Sequence, residues 1–242
     1  MSGRRLLIAN LACEYEWLHL AGRDESLKEL GVPPQVPATL PQSVLERLAA
    51  MGTLLRVHAE EGDTLWLPET PPIARMLPVP GFPTVQWRMT GGAPFDEIVG
   101  WGLSPLVEGM RNGGDQQGAR IATRVNHRDF CADVCGDDSG GVRLTTMADI
   151  DKLVARVGAG HLVAKSPFGM SGRGQLHIDP STWQSEERGR TRLTRLLAQQ
   201  GSVRIERWQR RIQDFGDVGT PADPDCRRSQ RALVDARGRV LG

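Results

Sequence analysis

The residues best suited to chemistry lie together in HLVAKSPFGMSGRGQLHID, residues 161–179. Lys165 closes an apolar run, Leu162, Val163 and Ala164, that reads as a buried strand, and residues 175–178 read as its partner. Between them stand Gly169, Met170, Ser171, Gly172, Arg173 and Gly174. Glycine lets successive backbone N–H groups turn into one concavity, and such a nest takes up phosphate oxygens. Lys165 and Arg173 add fixed positive charge beside the loop, and Ser171 adds a hydroxyl donor. The chemistry implied is a clamp for a polyanion, above all a nucleoside triphosphate. The plain alternative is a glycine-rich hairpin loop with a solvated lysine on an edge strand.

Three better-known phosphate or nucleophile motifs do not fit. A Walker A loop carries its lysine after the glycines and runs into a helix, whereas Lys165 precedes them and an alternating segment follows. The spacing of Gly169, Gly172 and Gly174 is not that of a dinucleotide fingerprint. Ser171 lacks the G-x-S-x-G frame of a nucleophile elbow.

Downstream, residues 181–200 carry Leu193, Leu196 and Leu197 at helical spacing, with Gly201 as a stop. Residues 203–208, VRIERW, alternate as a strand with Val203 and Ile205 on one face and Glu206 and Trp208 on the other. Asp214 follows eight residues after Glu206. The order is a strand ending in lysine, a glycine loop, a strand, a helix, a strand with a carboxylate, then a second carboxylate. In AKSPFGMSGRG, RIERW and QDF the chain resembles the nucleotide-binding core of the ATP-grasp superfamily.

The resemblance implies roles for particular residues. Lys165 would contact a phosphate and the adenine edge, and Gly169, Ser171, Gly172, Arg173 and Gly174 would fold over the phosphates. Glu206 would sit at the hinge, where the backbone of Arg207 and Trp208 reads the adenine amino group, and Asp214 would accept from the ribose hydroxyls. Arg128 stands where many members carry a second phosphate-binding lysine, keeping the charge with a different geometry; a surface arginine is the alternative. Residues 97–105, with Trp101-Gly102, resemble the turn that a preceding domain delivers to the cleft in some members. ATP is therefore the expected cofactor, and magnesium accompanies it in the family. No Glu-x-Asn pair of the kind that holds magnesium there follows Glu206, so no metal ligand is assigned. On this reading the chain is an incomplete ATP-grasp unit, either a piece of a longer ligase or a relative that has lost the chemistry. It is expected to bind ATP weakly and not to complete acyl-phosphate chemistry.

The elements that must position these groups fall on either side of a glycine- and glutamine-rich stretch, residues 111–118. Ahead of it, residues 6–9 read as a strand and 42–51 as a helix with Val44, Leu45, Leu48 and Met51 on its apolar face. Residues 53–58 and 64–67 read as two strands paired across Glu61-Gly62-Asp63, and 68–83 as a proline-rich loop. Beyond the stretch, residues 126–135 read as a helix with Asn126 and Asp129 in capping-box register, and 136–141 as an acidic loop. Residues 146–157 form a helix capped by Thr146 and ended by Gly158, while 232–235 and 239–241 read as strands about a turn. The expected class is α/β, a Rossmann-like pre-ATP-grasp domain over 1–118 followed by a partial α+β ATP-grasp domain over 119–242.

Composition narrows the classes further. Lysine plus arginine number 30 against 29 acidic residues, so no global field recruits nucleic acid or a membrane. No apolar run approaches the ~20 residues that span a bilayer, and residues 6–9 are too short for a signal-peptide core. Cys13, Cys131, Cys135 and Cys226 form no C-x-x-C pair and are expected as reduced thiols in the cytoplasm. His127, Cys131 and Cys135 recur every four residues, a spacing that suits three ligands on a helix or a buried helix face, and no fourth ligand accompanies them. The arginines of residues 188–211 suit a solvated helix face or a nucleic-acid surface. Three functions follow: an ATP-dependent carboxylate–amine ligase working through an acyl phosphate, a nucleotide-binding relative without turnover, and an arginine-mediated nucleic-acid binder. The expected partners are a nucleotide and small carboxylate and amine substrates, with no nucleic acid and no membrane.

Overall fold

Four short strands form a parallel sheet. They are β1 (Arg5–Ile8), β2 (Thr64–Trp66), β3 (Gln86–Arg88) and β4 (Glu97–Gly100), in the order β3-β2-β1-β4. The computed structural model describes residues 4–34, 40–72, 76–89, 95–113, 115–136, 140–169, 174–209, 213–220 and 223–233, with backbone alone at 112, 131, 135 and from 213 onward. A strand covered on both faces reads as continuously apolar, and β1 does so. Leu6 and Ile8 pack with Trp66 and Val107, while Leu7 and Ala9 pack with Leu65, Leu67 and Ala49. Of the helices α1 (Cys13–Ala21), α2 (Gln42–Gly52) and α3 (Pro105–Asn112), α2 brings Ala49 to one face of the sheet and α3 brings Val107 to the other.

Residues 53–58 are not the strand their composition suggests. They continue α2 as a 3-10 turn, with the Thr53 hydroxyl donating to the Ala50 carbonyl at 2.8 Å. Leu54 and Val57 are exposed, while Thr53 is buried and Leu55 packs against the core cluster of Leu65 and Leu67. β2 pairs instead with β1 and β3.

The stretch expected as a linker is partly helical, ending α3 and opening α4 (Gln117–Asn126). α4 lies against the first region, with Arg120 Nε 2.6 Å from Asp24 Oδ2 and Arg124 2.8 Å from Glu29. The helix expected from Asn126 starts two residues later as α5 (Arg128–Cys135), because His127 is extended at φ −71, ψ 126. Asn126 is not its cap: its amide donates back to the Ala122 carbonyl. The Arg128 N–H goes to the Pro167 carbonyl, a partner that no local pattern announces.

The second sheet is antiparallel, with β5 (Val142–Leu144), β6 (Leu162–Lys165), β7 (Gln175–Ile178) and β8 (Val203–Arg207) in the order β5-β8-β6-β7. One face is apolar. Leu162, Ala164, Ile178, Val203 and Ile205 pack there against Ile150 and Val154 of α6 (Met147–Val157) and Leu193 of α7 (Glu187–Gln200). The Thr146 hydroxyl oxygen accepts the Asp149 N–H at 3.1 Å, and Gly158, at φ +68, ends α6 as its type suggests. Of the last strands expected, 232–235 is met at Ala232 and Leu233, and 239–241 lies outside the described residues. β9 (Gln213–Thr220) and β10 (Asp223–Leu233) pair as an antiparallel ribbon, so Ala232 belongs to the end of a long strand. Residues 234–242 lie outside the described residues.

The two layers meet at two glycines. Gly201 ends α7 at φ +78, and a Cβ there would stand 2.0 Å from the backbone oxygen of Gly31. Gly201→Ala should therefore cost about 2–4 kcal/mol, from left-handed strain plus a backbone clash. Thr146→Ala, which removes only a cap, should cost about 1 kcal/mol. Urea denaturation of both variants checks the order.

Candidate functional site

Strand alternation gives the antiparallel sheet a second, charged face. Opposite the apolar side chains of β6 and β8 stand Lys165, Arg204 and Glu206, with Lys165 and Arg204 in direct register. Lys165 Nζ donates to Glu206 Oε2, and both side chains are mostly withdrawn from water. Arg204 is 7 % exposed. Its guanidinium donates to Asp129 Oδ1 of α5 at 3.1 Å and to the Gly141 carbonyl at 3.0 Å, and lies 3.7 Å from Glu206 Oε1. Arg143 of β5 reaches Asp129 at 3.3 Å and donates to the Leu30 carbonyl at 2.7 Å. A chain of charge thus runs Lys165, Glu206, Arg204, Asp129, Arg143 across one side of the sheet.

The base of the glycine loop is built at the end of β6. The Ser166 N–H donates to the Gly174 carbonyl at 3.0 Å, and the Ser166 hydroxyl donates to the Phe168 carbonyl at 2.9 Å. Gly174, at φ +73, leaves no room for a Cβ, which would stand 2.1 Å from Ser166 Oγ. Phe168 is buried with Cys13, Trp17, Leu18 and Leu27 of the first region, so the loop's root is anchored in the other layer. Arg128 braces the same root, donating through Nε to the Ser166 carbonyl at 3.2 Å and through Nη2 to the Gly169 carbonyl at 3.4 Å.

The expected site residues divide accordingly. Lys165, Glu206, Arg128, Gly169 and Gly174 come together, whereas Ser171, Gly172 and Arg173 lie outside the described residues. Asp214 sits in β9 opposite Ala232, on the separate ribbon, and its side chain is outside the described residues. The Trp208 N–H is taken by the His161 carbonyl at 2.8 Å, and its ring meets His177 edge-on with centroids 4.4 Å apart. Antiparallel pairs alternate between hydrogen-bonded and open. The Leu162–Arg207 pair is therefore open towards β6, and the backbone groups of Arg207 point to the flank where β5 begins only at Val142. Arg204 and Arg143 were not singled out from the sequence, and Asp129 was expected only as part of a helix cap. The signal for Arg204 was present, since it shares the parity of Glu206 in VRIER.

His127 is the oddity of this region. It is 1 % exposed, packs edge-on against Phe168 at 5.2 Å, and neither ring nitrogen has a hydrogen-bond partner among the described residues. Burial holds its pKa below the ordinary value, with Asp129 pulling the other way and Arg143 reinforcing the fall. The side chains of Cys131 and Cys135 lie outside the described residues, and among the described residues no group of three or more His, Cys, Asp or Glu could hold a metal ion. The arginine-rich zone is only partly a surface, since Arg190 is tied to Asp151 at 2.6 Å and Arg204 is buried. Among the described residues no helix is long and apolar enough to cross a membrane. No protein-family model matches this chain, and no curated protein matches it.

The lowered histidine makes a prediction with a definite sign. A folded state that resists protonating His127 binds fewer protons than the unfolded chain, so its stability is present above pH ~6.5 and is lost as pH falls through the lowered pKa. His127→Phe should flatten the acid limb of a plot of Tm against pH relative to the parent. A parallel curve would assign the slope elsewhere.

Proposed function

We propose that the charged face of the antiparallel sheet binds ATP beneath the 169–174 loop, in the arrangement of an ATP-grasp protein behind a Rossmann-like layer. The observation that carries this reading is that Lys165 and Glu206 stand side by side on the face turned away from the core, next to the root of the glycine loop. A lysine ammonium has three donors, and Glu206 engages one of them, leaving two for phosphate oxygens. Lys165, Arg204, Arg143 and Arg128 set four cations against the two carboxylates of Glu206 and Asp129, an imbalance that favours a polyanion.

On this reading the Arg207 carbonyl, turned away from β6, accepts the adenine amino group. Arg128 positions the loop by holding its backbone rather than meeting the phosphates. Asp214 is the ribose acceptor that the resemblance implies. Magnesium would neutralise the triphosphate, but no cluster among the described residues fits it. The chemistry such a site serves in the resembling family is carboxylate–amine ligation through an acyl phosphate, in which the protein contributes positioning and charge compensation. Binding without turnover is the second reading, favoured by a Glu206 whose charge is already matched by Lys165 and Arg204.

Calorimetric titration with ATP, with and without magnesium, tests the site. Lys165→Ala should weaken binding at least about tenfold, the scale of one charge-assisted hydrogen bond to phosphate. Lys152→Ala, on the exposed side of α6, should leave it unchanged. ADP release in the presence of carboxylates and amines separates a ligase from a binder. No ATP binding, or binding indifferent to Lys165, would sink the proposal.

A further inference from the structure

A cavity of about 370 Å³ opens beyond the carboxyl ends of β1 and β2, walled by Ala9, Leu45, Leu48, Trp66, Pro68 and Leu106. A second chamber of about 220 Å³ shares Ala12, Tyr15, Leu40 and Leu48 with it and extends to Ser166, Phe168, Gly169 and Gly174 at the root of the glycine loop. Small ligands of parallel α/β sheets bind outside the carboxyl ends of the strands, in pockets of this size. This cavity belongs to the first region and contains none of Lys165, Glu206 or Arg204.

Its polar groups select the ligand. Glu16 lines the first chamber and Glu14 the second, while no lysine, arginine or histidine among the described residues lines either. Glu16 accepts the Leu106 N–H at 3.1 Å and is further held by Ser104 and Asn10, which fix its orientation. Those partners are neutral, and no described cation pairs with it. Burial raises its pKa despite them, the behaviour of a carboxylate that lacks a counter-charge. A carboxylate can accept about four hydrogen bonds, so capacity remains. Trp66 is 9 % exposed, and its buried indole N–H finds no acceptor among the described residues.

We infer that this cavity binds a small primary amine with an apolar body, the ammonium at Glu16 and the body against Leu45, Leu48, Trp66 and Leu106. An anionic ligand would meet Glu16 with no cation among the described lining residues to offset it, and a purely apolar one would leave the carboxylate dry and unmatched. The second chamber gives the bound amine a way towards the glycine loop. Its standing as a substrate rests on the nucleotide-binding reading above; its binding does not.

Three probes of one shape separate the possibilities in calorimetric titrations of the full chain at pH 7: phenethylamine, phenethyl alcohol and 3-phenylpropanoate. The amine should bind about tenfold more tightly than the alcohol, and the carboxylate should bind more weakly than either. Glu16→Gln keeps an acceptor for the Leu106 N–H and should reduce the amine to the alcohol's affinity without changing the alcohol's. Leu45→Trp should abolish all binding by filling the chamber, its fold being checked by an unchanged Tm. Equal affinities for the three probes, no binding of the amine, or amine binding indifferent to both variants would overturn the inference. ATP titrated into the same samples keeps the two proposals apart. Amine binding without ATP binding removes only the nucleotide reading, and ATP binding without amine binding removes only this one.

Discussion

Arg204 stands in the middle of a strand with its guanidinium out of water, and a buried cation has to be matched before the sheet around it can form. Asp129 arrives from α5, the Gly141 carbonyl from the turn before β5, and Glu206 from the same strand two residues on. Each partner brings a constraint of its own. Gly141 must be glycine because a Cβ there would stand 2.7 Å from both Arg204 Nε and Glu206 Cγ. Asp129 also draws in Arg143, which reaches on to the Leu30 carbonyl in the first region. Glu206 turns to Lys165 and sets it beside the root of the glycine loop. Compensation of one desolvated charge therefore organises the face on which the nucleotide proposal rests.

The same layer is joined to the parallel sheet by means other than charge. Phe168 crosses from the loop's root into the cluster of Cys13, Trp17 and Leu27, and Gly201 lets α7 end against the Gly31 backbone. An aromatic anchor on one side of the glycine loop and a glycine turn, Gly174 against Ser166, on the other leave the loop between two fixed ends. His127 lies under the same junction against Phe168, so its desolvation is a cost of the joint.

The two sheets handle polar groups differently. In the parallel sheet the crevice beside β1 is closed by Asn10, whose amide donates to the Gly102 carbonyl and the Ser104 hydroxyl while its oxygen accepts the Gly102 N–H. Glu16 caps the start of α3 in the same neighbourhood and faces a cavity that no cation among the described residues lines. In the antiparallel sheet the polar groups face one another across strands and are matched within the face.

The sequence by itself determined the apolar face of the three strands β6, β7 and β8 and the first strand of the parallel sheet, but neither β3 nor β5. The periods of LVAK, QLHI and VRIER placed their strands within a residue, and Thr146, Gly158 and Gly201 marked helix ends correctly, because capping and left-handed turns depend on neighbours in the chain. It also placed Glu206 on the face opposite Val203 and Ile205, since parity along a strand decides facing, while the register of β6 on β8 is what sets Lys165 on that same face. Where several conformations suited the same local pattern, it did not decide. Residues 53–58 have strand-like composition yet continue a helix, while β2 takes β1 and β3 as its neighbours. The break at His127 depends on the Pro167 carbonyl taking the Arg128 N–H, a partner 39 residues away. The β9–β10 ribbon was illegible because its glycines, prolines and charges show no alternation for a single strand to reveal. Tertiary structure alone decided that Arg204 needs Asp129, that Arg128 holds the loop, and that Glu16 lines a cavity. Those outcomes are set by what each group meets when water is removed, and a lone sequence position carries no record of that meeting.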